Sequence, residues 1–439
     1  MKAQPVTVEL SLRTTAFLIW SYMAMKKLLY ILSVILLTAG LLLSCGDSGG
    51  SVGGDGGDGG DVGGDPLPWD GVTIDTSWYT NNPAADSFNI STPAQLAGLA
   101  KIVNDNRSGF NKKTIIQTAD LDLAGLQWTS IGLGASHYFS GTYDGNGKTI
   151  SGLNINIADY YQGLFGSIGS DSTVKNVKLL DVSITVTGST NLYIGAVAGF
   201  SNGRVEACTV SGSVTGGSQV GGVVGSAYAT GATVSGCSFS GSVTGSGNYV
   251  GGIVGHYIGK VSLCSFSGSV KGLTCIGGVA GENKGSITNC YATVSVEATY
   301  ATGAAGGIVG NQRDDGSVQY CYATGSVQGY TAGGIVGTSI GSVNNSAALN
   351  TDVTGTNARR VADGGTLANN YGSDGMLING ATLSSGDPGS ANGKDVTAAY
   401  YNTEEWWTSA GCWPDGTWDF VNVWEMSDGN NAGSLPVLK

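Results

Sequence analysis

Residues 249–272 read YVGGIVGHYIGKVSLCSFSGSVKG, and this stretch contains the pattern that decides the fold. Its first half carries the pentapeptide Gly-Gly-Ile-Val-Gly, and its second half alternates apolar or small residues with serines from Cys264 onward. Side chains that alternate with a period of two point to opposite faces of an extended strand. The second half therefore predicts a strand with one dry face, which includes Cys264 and Phe266, and one face of serines in water.

Close copies of this stretch recur along the middle of the chain at steps of 26 to 30 residues. The pentapeptide or a variant of it begins at Gly195, Gly221, Gly251, Gly277, Gly306 and Gly333, after a degenerate copy at residues 162–166. A repeat of this length with short strands, glycine turns and no helical periodicity fits one coil of a solenoid, whereas a propeller blade needs about 40 residues. The sequence predicts an all-β fold, a single-stranded, right-handed parallel β-helix.

Stacked coils place equivalent residues in columns, about 4.8 Å apart along the axis. The repeat predicts an inward column that consists of Cys208, Cys237, Cys264, Cys290 and Cys321. It predicts an outward column that consists of Ser213, Ser242, Ser269, Ser295 and Ser326. The glycines are expected to supply positive φ at the corners and to let neighbouring backbones pass closely.

We interpret the five cysteines as small buried apolar residues. Zinc sites use cysteines two to four residues apart or cysteines that converge with histidines, and these cysteines occur once per coil. Neighbours on parallel strands point the same way, which is poor geometry for a disulfide. Cys275 and Cys412 lie outside the column, and a disulfide between them stays open as an alternative.

The N-terminal side of the repeats carries a helix signal. Thr92 is placed as an N-cap, Pro93 stands at the first helical position, and Gln95 completes a capping box. We expect this helix to lie over the first coil, within an N-terminal cap at residues 68–112. The β-helix repeats then occupy residues 113–375.

The C-terminal side is rich in aromatic residues. We expect residues 376–439 to form a C-terminal cap whose aromatic side chains close the last coil. The alternative for part of this segment is stacking on a glycan ligand. The candidates for that role are Trp406, Trp407 and Trp413.

Residues 1–44 have the features of an export signal, with Met25 as the expected translation start. Two lysines follow Met25, and the apolar run at 28–43 is shorter than the roughly 20 residues of a membrane span. The run ends in Leu-Leu-Ser-Cys, which resembles the bacterial lipobox, so that Cys45 is the predicted lipidation site. The alternative is an ordinary signal peptide with a chance cysteine.

Residues 45–67 follow as a tether rich in Gly and Asp, a composition typical of flexible coils. A calcium-binding Gly-Asp repeat is the alternative, but such rolls need a large apolar residue in each nonapeptide. The sequence therefore predicts an exported chain that a lipid anchors in the bacterial cell envelope, at the outer membrane and exposed on the cell surface. The membrane is accordingly its expected partner.

The chain resembles the GLUG-motif proteins through an ordered series of segments. They read FNISTPAQLAGLAKIVN (88–104), LDLAGLQWTSIG (121–132) and FSGTYDGNGKTISGLNI (139–155), and the pentapeptides follow. The resemblance implies a bacterial surface or secreted β-helix, in some cases adhesin-like. Similar repeats accompany peptidase domains in IgA-specific metallopeptidases. Because this chain has only two histidines, His137 and His256, and no His-Glu-x-x-His, peptidase activity is not implied.

The net charge and the spacing of acidic residues limit the classes of function that fit this chain. The formal net charge of −12 disfavours nucleic acid, which requires clustered Lys and Arg. Acids are sparse between residues 160 and 350 and share no repeat column, so we expect no catalytic centre, metal site or cofactor. The favoured function is adhesin-like binding of a glycan or surface protein, or a structural role. The alternatives are a polysaccharide lyase or glycosidase on the same scaffold, and a passive spacer.

Overall fold

The computed structural model describes residues 67–187, 192–383, 386–428 and 433–439. Parallel strands stack there into four sheets, of which the first has eleven strands, so the predicted parallel β-helix is confirmed. One coil runs through the sheets in a fixed order, here numbered 1 to 4. In the coil quoted above, sheet 1 takes Lys260–Ser262, sheet 2 Ser265–Gly272, sheet 3 Thr274–Gly277 and sheet 4 Ala280–Asn283.

Sheets 1 and 2 contain most of the strands. Sheet 1 comprises Ser87–Ile90, Thr114–Gln117, Thr142–Asp144, Thr173–Lys175, Arg204–Glu206, Thr233–Ser235, Lys260–Ser262, Ser286–Thr288, Ser317–Gln319, Ser342–Asn344 and Thr366–Ala368. Sheet 2 comprises Leu121–Asp122, Thr149–Ser151, Asn154–Asn156, Lys178–Thr185, Thr209–Gly216, Ser238–Gly245, Ser265–Gly272, Tyr291–Ala298, Tyr322–Gln328, Ala347–Ala348, Asp352–Thr354, Tyr371–Ser373, Leu377–Ile378, Ala381–Thr382 and Lys394–Val396.

Sheets 3 and 4 begin later in the chain and meet at the pentapeptides. Sheet 3 comprises Leu192–Gly195, Ser218–Gly221, Asn248–Gly251, Thr274–Gly277, Ala304–Gly306, Thr331–Gly333 and Asn357–Arg359. Sheet 4 comprises Phe165–Ile168, Ala198–Ser201, Val224–Ala227, Val254–Tyr257, Ala280–Asn283, Val309–Gln312, Val336–Ser339 and Ala362–Asp363. A separate antiparallel hairpin pairs Trp424–Met426 with Pro436–Leu438.

The pentapeptide forms the corner between sheets 3 and 4. Gly251 ends one strand, Gly252 and Ile253 make the bend, and the next strand begins at Val254. Both Ile253 and Val254 are buried. A Cβ on Gly252 would overlap the carbonyl oxygen of Gly278 in the next coil and would lie 2.5 Å from Cδ1 of Phe266. Glycine is therefore required because the backbones approach closely.

Positive φ occurs at a different corner from the predicted one. The glycines of the quoted pentapeptide, Gly251, Gly252 and Gly255, do not have positive φ, so that part of the expectation is wrong. Within sheet 3, positive φ occurs at Tyr193, Gln219, Tyr249 and Cys275. A further column of left-handed residues stands immediately before the cysteine column, where the chain turns from sheet 1 to sheet 2 with φ of 51–63°. They are Ala207, Gly236, Leu263, Asn289 and Tyr320.

The columns of sheet 2 are in register along the axis. The five serines of the predicted outward column pair with one another in adjacent strands, and each is at least partly exposed. Ser326 donates a hydrogen bond of 3.2 Å to Ser295. The five cysteines immediately precede these strands, and all five are buried in the core of the solenoid.

One long helix lies near the start of the solenoid. It spans Pro93–Asn104, and its N-cap Thr92 accepts a hydrogen bond of 3.3 Å from the backbone nitrogen of Gln95. The Gln95 side chain in turn accepts from the backbone nitrogen of Ser91 at 2.8 Å. Leu96, Leu99, Ile102 and Val103 are buried in the same core as the strands. In the part of the chain that the structure describes, three further helices are short: Ser77–Thr80, Ala398–Tyr401 and Glu404–Thr408.

The aromatic C-terminal segment packs along the side of the solenoid. A second hydrophobic core joins its tryptophans to Tyr322, Ala347 and Tyr371, which belong to three successive strands of sheet 2. The hydroxyl of Tyr322 donates to the carbonyl oxygen of Pro436 at 2.6 Å, and that of Tyr371 donates to the carbonyl oxygen of Cys412 at 2.9 Å. The segment therefore covers the outer face of these coils. This differs from the expectation that its aromatic side chains close the last coil.

Candidate functional site

The residues singled out from the sequence fall in three places. Cys45 lies outside the described residues. Trp406, Trp407 and Trp413 are buried in the second core, where the ring centroids of Trp406 and Trp413 are 4.9 Å apart and those of Trp406 and Trp407 are 4.6 Å apart. Because these three side chains are at most 5% exposed, a glycan cannot reach their faces, which is a correction to their predicted role in stacking on a glycan.

The cysteine column is closed to solvent. Cys264 donates from Sγ to the carbonyl oxygen of Ser262 at 3.2 Å, and Cys290 and Cys321 make the equivalent contact to the residue two positions earlier. Burial raises the pKa of the Cys264 and Cys290 thiols, which keeps them protonated. Protonated, buried thiols are poor nucleophiles and poor metal ligands. Cys275 and Cys412 are free thiols and do not form a disulfide with each other.

A row of aromatic side chains follows the solenoid axis beside the corner between sheets 3 and 4. We define the ring file as Tyr161, Tyr193, Phe200 and Tyr228. Ring centroids are 4.8 Å apart for Tyr161 and Tyr193 and 5.4 Å apart for Tyr193 and Phe200. Tyr228 of the following coil lies 5.8 Å from Phe200 and is 44% exposed, and the other three rings are partly exposed. These rings form an aromatic surface that solvent reaches.

An ionic cluster continues the ring file toward the C-terminus. We define it as His256, Glu282, Lys284 and Arg313. The ring of His256 lies 4.9 Å from that of Tyr228, which joins the two groups. His256 and Glu282 are only 5% and 3% exposed, and Nε2 of His256 is 3.4 Å from Oε1 of Glu282. Aromatic and charged side chains therefore form one continuous site.

Both oxygens of Glu282 are engaged. Lys284 Nζ lies 3.5 Å from Oε1, whereas Arg313 Nε lies 3.4 Å and Asn311 Nδ2 3.0 Å from Oε2. Burial alone would raise the pKa of this carboxyl, but the hydrogen bond from His256 and the charges of His256, Lys284 and Arg313 outweigh it and lower the pKa below its usual value. Glu282 is therefore a fixed anion that positions Lys284 and Arg313 at the surface.

Ser226, His256 and Glu282 lie in a row that resembles the Ser-His-acid triad of acyl-transfer enzymes. Ser226 Oγ lies 3.5 Å from Nδ1 of His256, whose Nε2 faces Glu282. A nucleophilic serine must meet its substrate, and Ser226 is completely buried. The geometry fits a hydrogen-bonded support that orients His256. Among the described residues there is also no group of three or more His, Cys, Asp or Glu side chains that could hold a metal ion.

This site was not predicted from the sequence, although the repeats carry a signal for it. Phe200, Ser226, His256, Glu282 and Asn311 are in register in adjacent strands of sheet 4. Each of them directly follows one pentapeptide in the sequence. Aligning the repeats on the pentapeptide would have placed His256 beside Glu282, even though 26 residues separate them.

The comparisons with known proteins concern parts of the chain. The GLUG motif matches residues 272–297 and 301–328. Over 94 residues, 21% of the chain, the sequence is 42% identical to halomucin of Haloquadratum walsbyi, and the match covers 1% of halomucin. Over 122 residues, 28% of the chain, it is 36% identical to a provisionally named Gly-rich membrane protein of Evansella cellulosilytica, and the match covers 14% of that protein. The chain thus spans a small part of the length of either relative.

Among solved structures, the crystal structure of a protein from Bacteroides ovatus, provisionally assigned as an immunoglobulin A1 protease, matches with a TM-score of 0.42 and 19% identity. The match covers 80% of this chain and 92% of that one. No helix of the part described here is long and apolar enough to cross a membrane. The two matched copies of the GLUG motif fall within the solenoid, and the predicted GLUG repeat is confirmed there.

Proposed function

We propose that this protein is a lipid-anchored, adhesin-like binding protein of the bacterial cell envelope, without a catalytic centre. The export signal and the lipobox that ends in Cys45 support the anchor. The relative from Evansella cellulosilytica, which is named as a membrane protein, supports an envelope location. Lipid at Cys45 ties the chain to the outer membrane, and the tether at residues 45–67 holds the β-helix away from it at the cell surface.

The observation that carries a binding function is the ring file. Solvent-accessible aromatic clusters are uncommon on a protein surface unless they meet a partner, and Tyr and Phe provide large contact areas at a low cost in conformational entropy. A passive spacer needs only the repeated scaffold. The residue that follows the pentapeptide nevertheless changes from coil to coil, from Phe200 to Ser226, His256 and Glu282, while the first and last glycines of the pentapeptide are kept.

An array of glycans and surface proteins tests the binding function. The chain from residue 46 onward, without its lipid, is the probe, and bound protein is the readout. We expect saturable binding to at least one class of ligand and no turnover of that ligand. Failure to bind any member of the array would favour a passive spacer, and degradation of a bound glycan would favour a carbohydrate-active enzyme.

The anchor is tested separately in bacterial cells fed a labelled fatty acid. Cys45→Ala is expected to abolish labelling of the protein, because the lipobox cysteine is the acylated residue. Cys275→Ala is the matched control and should label like the unaltered chain. Persistent labelling of the Cys45→Ala chain would contradict the lipobox assignment.

A further inference from the structure

We infer that the ring file is a binding site for a linear, uncharged polysaccharide. This inference rests on the proposed binding function and names the class of ligand and its place on the molecule. The apolar C–H face of a sugar ring packs on the face of an aromatic side chain, whose π-system is negative at its centre. Tyr228 is 44% exposed and Tyr161, Tyr193 and Phe200 are partly exposed, so the outward parts of these packed rings together offer such a surface.

The arrangement of the rings favours an extended ligand. Tyr161, Tyr193 and Tyr228 belong to three successive coils, and coils repeat about every 4.8 Å along the axis. That spacing is comparable to the length of one sugar unit. Successive units of a linear chain can therefore meet successive coils, whereas a compact small molecule would use one or two rings only.

The hydrogen bonding of the scaffold disfavours a peptide in the same place. An extended peptide adds to a sheet through unpaired backbone groups at an edge strand. The strand Ala198–Ser201, which carries Phe200, is bonded to Phe165–Ile168 on one side and to Val224–Ala227 on the other. Its backbone groups are thus already used, and only side chains remain to bind a ligand.

The charges near the ring file disfavour a polyanion. Lys284 and Arg313 are both paired with Glu282, and Asp314 and Asp315 follow in the adjoining turn. The whole chain carries a formal net charge of −12. Such a site has little surplus positive charge to offset the repulsion of an acidic polymer.

The ionic cluster supplies hydrogen-bond donors at one end of the file. Arg313 contacts Glu282 through Nε, its side chain is 50% exposed, and no bond joins its Nη groups to another described residue. Guanidinium groups donate several hydrogen bonds in a fixed geometry. Arg313 and Lys284 can therefore donate to sugar hydroxyl groups while Glu282 holds them in place.

Affinity electrophoresis of the chain from residue 46 onward tests the inference. The gels contain a panel of soluble neutral polysaccharides (α- and β-glucans, mannan, xylan and galactan) or, as the anionic counterpart, polygalacturonate. We expect at least one neutral polymer to retard the protein, with retardation unchanged between about 0.05 and 0.5 M salt. Retardation by polygalacturonate alone, or by no polymer of the panel, would overturn the inference.

Three substitutions locate the site. Tyr193→Ala is expected to weaken binding at least tenfold, because it removes the central ring, and Tyr193→Phe is expected to retain binding because it keeps the stacking face. Tyr300→Ala is the matched control, since Tyr300 is 54% exposed in a turn outside the ring file. Thermal melting identifies any variant that fails to fold, in which case Phe200→Ala replaces Tyr193→Ala.

The outcomes separate this inference from the proposed function. Equal retardation of folded Tyr193→Ala and the unaltered chain would overturn the ring file as the site. If the array finds a protein ligand whose binding survives Tyr193→Ala, the binding function stands and the inference fails. If the unaltered chain binds neither the array nor the panel, both fail.

Discussion

Individual buried side chains show why one column of the repeat accepts cysteine. Cys208, Cys237, Cys264, Cys290 and Cys321 occupy equivalent inward positions, and Val177 occupies the same position one coil earlier. What these residues share is small size and low polarity. Redox chemistry and metal binding require access or convergence, which a buried, single-file column does not provide. Size and apolarity therefore govern this position.

Cys264→Ser is expected to destabilise the protein by about 1–2 kcal/mol, because it places a more strongly hydrated group in the dry column. Cys264→Val should cost less, because Val177 already fills the equivalent space. Urea unfolding followed by circular dichroism measures both. Ligand binding should be unchanged, since Cys264 lies inside the solenoid. Unchanged stability with lost binding would contradict its assignment to the core.

Glu282 gives a second prediction, which depends on pH. Its folded-state pKa lies below the usual value, so its stabilising contribution is present above about pH 4.5 and is lost as pH falls through the folded-state pKa. Glu282→Gln is expected to lower the free energy of unfolding by about 1–3 kcal/mol at pH 7. The loss should be smaller than for a fully buried ion pair, because Lys284 and Arg313 reach solvent. Urea midpoints of variant and unaltered chain should converge as pH falls below 4.5.

Glu297→Gln is the matched control for the Glu282 experiment. Glu297 pairs with Lys271 at 2.8 Å, but both side chains are substantially exposed. An exposed pair contributes at most about 1 kcal/mol. If Glu282→Gln and Glu297→Gln lose comparable free energy of unfolding at pH 7, burial does not strengthen the ion pairs of Glu282.

At the scale of one element, the corner between sheets 3 and 4 depends on contact between coils. Gly252→Ala is expected to cost about 1–3 kcal/mol, because its Cβ would overlap the Gly278 carbonyl oxygen and press on Phe266. Gly231→Ala is the control, since no atom lies within 4 Å of the Cβ built there and its φ is not positive. Melting temperature measures both. Equal melting temperatures for Gly252→Ala and Gly231→Ala would mean that the backbone at this corner can shift to accommodate the added Cβ.

The sequence predicted elements that repeat better than elements that occur once. The period of two in sheet 2 and the recurring pentapeptide identified the coil, because every coil imposes the same packing on the same positions. The C-terminal segment has no such copies, so its composition showed that it was aromatic but not which surface it covers. The contact between Trp424 and Asn289, 135 residues apart, depends on how the segment folds back. His256 and Glu282 were missed for another reason, since neither residue type repeats in its column.

At the scale of the whole molecule, a solenoid is nearly one-dimensional, because each coil contacts chiefly its neighbours. Position 250 pairs with 276, and position 251 with 277, in adjacent strands of sheet 3. Deletion of residues 251–276 therefore removes one complete coil and joins Val250 to Gly277 in the same register. Columns above and below the deletion stay continuous, with Cys237 stacked on Cys290 in place of Cys264.

We expect this 26-residue deletion to fold into a shorter β-helix with an unchanged circular dichroism signature per residue. The dependence of its unfolding free energy on urea should fall by about one part in eleven, because that slope scales with the surface exposed on unfolding and one of eleven strands of sheet 1 is lost. Deletion of residues 251–263 is the control. It removes half a coil and joins a strand of sheet 3 to one of sheet 2, so that every column shifts and the dry face no longer meets the core. If both deletions unfold the chain, coils are not the independent units that the repeat implies; if both fold, register does not specify the solenoid.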